Sequence, residues 1–312
     1  MPAGMKKLQV GVQMACSFLI VQILALALAG LFMGAGFQAF ENPNDPVNPL
    51  LYLVAILLFT GIVLLIVRLG KGMVIRYLIL GATALVLLDV FMILFAYGIF
   101  FVCGAVALLW EAALLSGAVL AAVLTYLLYR HPEWYVVNAV GILMGAGVAS
   151  IMGISLGILP VMVLLVSLAV YDAIAVYRTK HMISLADALT EQHLPVLLVF
   201  PKSKDYSFMA QKGIKKELKS GREREAVMMG LGDVIIPSVL AVSAFTFLPG
   251  RSLFVALGTM VGILCGFTVL LHLLRKGKPQ AGLPPLNIGA ILGYVISYLL
   301  VYGDLTMGMT MW

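Results

Sequence analysis

Two aspartates lie inside stretches of the chain that are apolar enough to cross a lipid bilayer. Asp233 belongs to the run from Met228 to Pro237 (MMGLGDVIIP), and Asp172 follows Tyr171 in a second apolar run. An ionisable side chain is costly inside a membrane, so it is by default a candidate functional group. Two such acids predict a functional pair.

The chemistry that a pair of aspartates can perform is amide hydrolysis. Two carboxylates held a few ångströms apart do not both ionise easily, so one keeps its proton while the other loses it. The ionised acid takes a proton from water, and the protonated acid hydrogen-bonds the carbonyl oxygen under attack. This reaction needs no metal, no cofactor and no covalent intermediate.

Small and helix-breaking residues surround Asp233. Gly230 and Gly232 have no side chain, which lets another helix or an extended substrate backbone approach closely. Pro237 follows Asp233 by four residues and cannot donate a hydrogen bond to its carbonyl, so we expect a looser helix there.

The composition places this pair in a polytopic membrane protein. Hydrophobic residues make up 62% of the chain and charged residues 11%, whereas a soluble domain has about 25% charged residues. Three cysteines without a CxxC spacing and four histidines without an HExxH motif argue against a disulfide framework and a zinc site. The formal net charge of +6 is interpreted as a topology signal, not as nucleic-acid binding.

The apolar stretches predict an all-α protein with about nine transmembrane helices, each near the roughly 20 residues that a bilayer requires. The predicted spans are Val10 to Phe40, Leu50 to Val67, Tyr77 to Phe100, Gly104 to Leu128, Trp134 to Leu156, Pro160 to Val176, Ala226 to Phe247, Leu253 to Leu274 and Pro285 to Tyr302. A charged stretch divides them into a six-helix part (residues 1–178), a loop (179–225) and a three-helix part (226–312). Within the loop, His181 to Gln192 has helical character and Leu194 to Phe200 predicts an extended, β-prone run.

The basic residues predict the orientation of the chain. All of the 20 lysines and arginines except Arg251 fall on one side of the nine-span scheme. The positive-inside rule then places the N-terminus and the large loop in the cytoplasm and the C-terminus outside. Counted along the helix from the cytoplasmic Arg178 and Arg224, Asp172 and Asp233 lie about 9 and 13 Å deep. Two acids at nearly the same depth can meet.

Three motifs in order resemble those of the presenilin and signal peptide peptidase family. Tyr171-Asp172 is similar to its YD motif, Gly230-Leu231-Gly232-Asp233 to its GxGD motif, and Leu283-Pro284-Pro285-Leu286 to its PAL motif, with Pro285 in place of the family's alanine. The nine-span layout extends the resemblance over essentially the whole chain. The predicted orientation resembles presenilins, whereas the residues after Asp233 are similar to the peptidases. This mixture, in a compact chain, resembles a microbial, archaeal homologue in the cell membrane.

The resemblance implies a presenilin-like fold and an intramembrane aspartyl protease. Asp172 and Asp233 would be its catalytic residues. The residues that would bind substrate or shape the site are Tyr171, Gly230, Leu231, Gly232, Leu283, Pro284, Pro285 and Leu286. Its partners would be the lipid bilayer and transmembrane helical substrates, either single-span proteins or remnant signal peptides. The resemblance implies no cofactor and leaves a homo-oligomer open.

Other classes of membrane protein also use acids in their helices. A proton-coupled secondary transporter would use Asp172 and Asp233 as a relay, but its broken helices often recur in two halves, and residues 1–150 show no convincing repeat. A prepilin peptidase also has a GxGD motif, and the proline motif and nine spans argue against it. A purely structural membrane scaffold is a third class, and the free-energy cost of burying two paired acids argues against it.

Overall fold

The computed structural model describes residues 3–70, 72–104, 108–179, 196–203, 206–209, 225–274 and 280–309. Within these residues the chain forms nine α-helices and two β-strands. The helices are α1 (Ala3–Gly34), α2 (Asn48–Arg68), α3 (Gly72–Cys103), α4 (Leu109–Arg130), α5 (Trp134–Ser155), α6 (Ile158–Ile174), α7 (Leu231–Phe247), α8 (Ser252–Leu274) and α9 (Leu283–Tyr302). A π-helical turn (Ala175–Thr179) continues α6, and the strands are β1 (Leu197–Pro201) and β2 (Ala226–Gly230).

Eight of the described helices are long and apolar enough to cross a membrane. The remaining helix, α7, is also apolar but has 17 residues. At the α-helical rise this is about 26 Å, close to the lower limit for a span. The helices therefore confirm the predicted all-α polytopic fold, with nine helices among the described residues, of which eight are candidate membrane spans.

The first helix ends earlier than hydropathy predicts. The chain is apolar as far as Phe40, yet α1 stops at Gly34 and Gly36 adopts a φ of 77°. This left-handed conformation is a common way to end a helix. The segment beyond it is held by tertiary contacts, since the Gln38 side-chain amide donates to the Ile154 carbonyl at 3.0 Å.

The predicted start of the seventh span at Ala226 is wrong. The five residues Ala226–Gly230 form β2, which pairs antiparallel with β1, and the helix begins at Leu231. These residues are apolar, so hydropathy counts them as part of the span although their backbone groups bond to another strand. Non-helical backbone at membrane depth requires such partners.

The extended run predicted in the loop is confirmed where the structure describes it. Leu197–Pro201 is a strand, and its register pairs Leu197 with Gly230 and Pro201 with Ala226. The first residues of the predicted run, Leu194 and Pro195, and the helical segment predicted for residues 181–192 lie outside the described residues.

One compact unit is formed by Met1–Met14, Ile62–Gly147 and Ile183–Leu231. Its core joins α3, α4 and α5 to β1 and to the residues that follow β1, and it includes the buried side chains of Leu87, Val137, Val199 and Phe208. Helices α3 and α4 approach closely at Gly117, where an added Cβ would lie 2.8 Å from the backbone nitrogen of Met92. The sheet is therefore part of a well-packed unit.

A second compact unit is formed by Ala15–Gly61, Val148–Met182 and Gly232–Trp312. It contains both aspartates and the helices that carry them, together with α8 and α9. Small residues on α8 face small residues on α9, namely Gly258, Gly262 and Gly266 against Gly289, Gly293 and Ser297. A Cβ added at Gly262 would lie 2.7 Å from the Gly293 Cα. Small residues are what allow two membrane helices to approach this closely.

Candidate active site

Asp172 lies in the last turn of α6 and is almost completely buried, with 2% of its surface exposed. Its Oδ2 accepts a hydrogen bond of 3.0 Å from the backbone N–H of Leu283, at the start of α9. The π-helical turn begins three residues after Asp172. Such turns are frequent at functional sites because they interrupt the regular helix locally.

Asp233 lies in the first turn of α7, directly after the strand β2. The junction is fixed by a hydrogen bond of 2.9 Å from the Leu231 N–H to the carbonyl of Val196. Helix α7 is α-helical on both sides of Pro237. Because proline has no N–H, the carbonyl of Asp233 receives no helical hydrogen bond from that residue.

Two adjacent residues, Gly282 and Leu283, contact the two acids. The Leu283 N–H donates to Asp172, and a Cβ added at Gly282 would lie 2.8 Å from Oδ2 and 3.0 Å from Oδ1 of Asp233. The structure therefore brings the two predicted acids together at one site, at the N-terminal end of α9.

The start of α9 is built by the Leu283-Pro284-Pro285-Leu286 motif. The two prolines stand at the first positions of the helix, where a missing N–H costs no helical hydrogen bond. Leu286 is fully buried. The N-terminal end of a helix carries partial positive charge, and here it is directed at the Asp172 carboxylate through the Leu283 N–H.

The segment that leads into α9 is also tied to α6. The Tyr177 hydroxyl, on the π-helical turn, donates to Oε1 of Gln280 at 2.9 Å. Gln280 stands two residues before Gly282 in the sequence. Together with the bond from Leu283 to Asp172, this contact fixes the segment 280–283 on the end of α6.

The remaining predicted site residues differ in their surroundings. Tyr171 is half-buried on α6, and its hydroxyl has no hydrogen bond to another described residue. Leu231 is buried, with 2% of its surface exposed, and Gly230 ends β2. Gly232 is exposed, and no described atom lies within 4 Å of a Cβ added there. The described residues therefore leave room for a side chain at Gly232, in contrast to Gly282.

Gly282 and the π-helical turn are parts of the site that the sequence did not predict. The only signal for Gly282 was a glycine directly before the Leu283-Pro284-Pro285-Leu286 motif. Its role depends on the position of Asp233, which is 49 residues earlier in the numbering. Within the described ranges, no group of three or more His, Cys, Asp or Glu residues could hold a metal ion.

The chain is similar to known proteins over most of its length. The model of a protein family described as "Signal-peptide peptidase, presenilin aspartyl protease" matches residues 15–302. Two solved structures of a presenilin family intramembrane aspartate protease, in space groups C222 and P2, are each 38% identical in sequence. The first has a TM-score of 0.67 and the match covers 93% of this chain and 99% of that one. The second has a TM-score of 0.64 and the match covers 93% and 97%. No curated protein matches the chain.

Proposed function

Since this chain belongs to the signal-peptide peptidase and presenilin family and is an intramembrane aspartyl protease, we propose that Asp172 and Asp233 are its catalytic pair. The observation that carries this proposal is the contact of Gly282 and Leu283 with the two carboxylates. The secondary transporter considered above receives no support from the comparisons.

The proposed reaction is a direct attack of water on the scissile carbonyl. A backbone N–H that donates to a carboxylate stabilises its negative charge, so we assign the base to Asp172, which accepts from Leu283. Asp172 takes one proton from the water while Asp233 gives its proton to the carbonyl oxygen, and a tetrahedral diol forms. The C–N bond then breaks as Asp172 passes its proton to the amide nitrogen and Asp233 takes a proton from a diol hydroxyl. This leaves a new carboxyl end and a new amine end, and returns the two acids to their starting protonation states.

The substrates lie in the bilayer, as the family implies. We propose that they are single-span proteins or remnant signal peptides whose helix opens near the cleaved bond, since a helix buries its carbonyls in hydrogen bonds. The exposed backbone at Gly232 supports binding of an extended substrate next to Asp233. Tyr171, Leu231 and the motif from Leu283 to Leu286 would complete the walls of this site.

The protein is a multi-pass integral membrane protein. We propose that it lies in a microbial cell membrane with the N-terminus and the loop of residues 179–225 in the cytoplasm and the C-terminus outside. The distribution of lysine and arginine supports this orientation. In the same scheme residues 1–178 supply Asp172, and residues 226–312 supply Asp233 and the proline motif.

The catalytic assignment is tested by cleavage of a single-span substrate by the purified protein in liposomes. The variants are Asp172→Asn, Asp233→Asn and, as a matched control, Asp89→Asn, an acid on α3. We expect the unmodified protein and the control to cut within the membrane segment, with the position read by mass spectrometry. Neither Asp172→Asn nor Asp233→Asn should yield product. Cleavage by either of these two variants would remove that residue from the proposed pair.

A further inference from the structure

Asn287 is a buried amide on α9 that no motif of the sequence singled out. It lies one helical turn beyond Leu283, and 1% of its surface is exposed. Its Nδ2 donates a hydrogen bond of 2.8 Å to the backbone carbonyl of Leu165 on α6. A carbonyl has two lone pairs, so this bond adds to the helical one that the Leu165 carbonyl accepts.

The bond from Asn287 and the bond from Leu283 tie the same two helices together. The Leu283 N–H donates to the Asp172 carboxylate, and the Asn287 amide donates to the carbonyl of Leu165. Leu165 lies seven residues before Asp172 on α6. The two contacts are therefore separated by about 6 Å along α9 and about 10 Å along α6. Two separated bonds between a pair of helices oppose both sliding and rotation, whereas one bond permits rotation about itself.

The other side of the α9 start is fixed by close packing. A Cβ added at Gly266 of α8 would collide with the Pro285 carbonyl and would lie 3.1 Å from the Leu286 Cα. The first turn of α9 is thus held against α8 by backbone contact and against α6 by the Asn287 amide.

Stability alone does not account for an amide at this position. The Oδ1 of Asn287 is buried and has no hydrogen-bond partner among the described residues. A buried polar atom without a partner destabilises the folded protein, and an apolar side chain of the same shape avoids this cost. Leucine at this position would lose one hydrogen bond and remove one unsatisfied acceptor.

We propose that Asn287 is a positioning residue for the reaction. Its amide holds the start of α9 in register with α6, and this register keeps the Leu283 N–H on the carboxylate of Asp172. Asn287 donates to the Leu165 carbonyl and to neither acid, so it acts through Leu283. The inference rests on the proposed function, in which Asp172 is the base.

The test compares the kinetics of three variants of the full-length protein in liposomes. Asn287→Leu removes the amide with little change of shape, and Asn287→Gln keeps an amide that is one methylene longer. Ser297→Ala is the matched control, because its hydroxyl lies on the same helix and bonds to the Gly293 carbonyl of that helix at 2.7 Å and to the Val255 carbonyl of α8 at 3.3 Å, and neither carbonyl is on α6. A melting temperature is measured for each variant.

We expect Asn287→Leu to lower kcat by about 10- to 100-fold, which is the effect of a misplaced catalytic group. Its KM should stay within about twofold, because substrate-binding groups are unchanged, and its melting temperature should not fall. Asn287→Gln should recover part of kcat, and Ser297→Ala should leave it unchanged.

Three results would overturn the inference. They are a kcat of Asn287→Leu that stays within about twofold, a rise of KM alone, and a loss of kcat that comes with a clear fall in melting temperature. Asp172→Asn is measured alongside, because cleavage by that variant would contradict the proposed function itself. An inactive Asp172→Asn beside a fully active Asn287→Leu would contradict only the role of Asn287.

Discussion

At Gly282 the missing side chain leaves room for the carboxylate of Asp233. An added Cβ would lie 2.8 Å from Oδ2, closer than real Cβ contacts allow. The neighbouring N–H of Leu283 bonds to Asp172 at 3.0 Å, so this backbone cannot move away from one acid without disturbing the other. Gly282 therefore sets the position of Asp233 relative to Asp172.

Replacement of Gly282 by valine should displace the Asp233 carboxylate. We expect Gly282→Val to lower kcat by at least about tenfold, because small displacements of a catalytic group are costly. The melting temperature should change little, since the side chain of Asp233 can rotate away. Gly30→Val on α1 is the control, because no described atom lies within 4 Å of a Cβ there. Equal activities of the two variants would show that Gly282 does not position Asp233.

The pH dependence of cleavage should report the two acids as one unit. Two interacting carboxylates that share a proton titrate in two macroscopic steps, and the active form exists between them. The cleavage rate in liposomes should therefore follow a bell-shaped curve as pH is varied, with loss on the acid side when both acids are protonated and on the alkaline side when both are ionised. A rate that is flat from mildly acidic to neutral pH would contradict a shared proton.

The chemistry of single residues was the part of the site that the sequence predicted best. An aspartate in an apolar run is visible without a structure. The depth counted for Asp233 assumed a helix from Arg224 onward, whereas Ala226–Gly230 is a strand and the helix begins at Leu231. Gly282 and Asn287 could not be predicted, because their roles come from atoms on other helices. A glycine or asparagine in a membrane helix has many uses, and only the contacts with Asp233 and Leu165 select one.

Among the elements, the strand pair shows where hydropathy fails. Ala226–Gly230 is as apolar as the helix that follows, and hydropathy measures transfer to the membrane without regard to the shape of the backbone. The strand that pairs with Ala226–Gly230 is β1, which lies in the charged loop. The sequence predicted an extended run there but did not predict which segment it pairs with. The GxGD motif is thus a strand-to-helix junction and not the middle of a span.

The outer edge of β1 is closed by a side chain of α5. The Nδ2 of Asn138 donates to the carbonyl of Val199, and its Oδ1 accepts from the Val199 N–H, both at 2.7 Å. One amide thereby replaces a neighbouring strand at a fully buried residue.

Loss of this amide should weaken the strand. Asn138→Leu leaves two buried backbone groups unpaired, at a cost of about 1–3 kcal/mol each, so the melting temperature should fall by roughly 5 °C or more. Thr125→Val is the matched control, because the Thr125 hydroxyl is buried without a hydrogen-bond partner among the described residues. Removal of this hydroxyl should not destabilise the protein. If both variants melt like the unmodified protein, the amide does not support β1.

The close packing of α8 on α9 makes a separate prediction. Leucine in place of Gly262 would collide with the backbone of α9, where the Gly293 Cα lies 2.7 Å from an added Cβ. Overpacking of this kind costs about 1–3 kcal/mol, and the melting temperature should fall by roughly 2–10 °C. Gly61→Leu on α2, where a Cβ meets no described atom within 4 Å, should be tolerated. Similar melting curves for the two variants would contradict the packing.

For the whole molecule, the number and order of the helices could be predicted because few backbone structures can cross a lipid bilayer. Each span must satisfy its backbone bonds internally and be long enough to cross, so long apolar runs translate directly into helices. The chain accordingly forms the expected helices within its described residues. The two compact units could not be predicted, because each combines segments that are distant in the sequence.

If Asp172 and Asp233 act as one catalytic unit, single and double substitutions should have the same effect on cleavage. The rate of cleavage of one single-span substrate in liposomes is measured for Asp172→Ala, Asp233→Ala and the variant that carries both. Residues that act as a unit are not additive, so each single variant should be as inactive as the double variant. A single variant that cleaves measurably faster than the double variant would contradict a catalytic pair, because one acid would then work without the other.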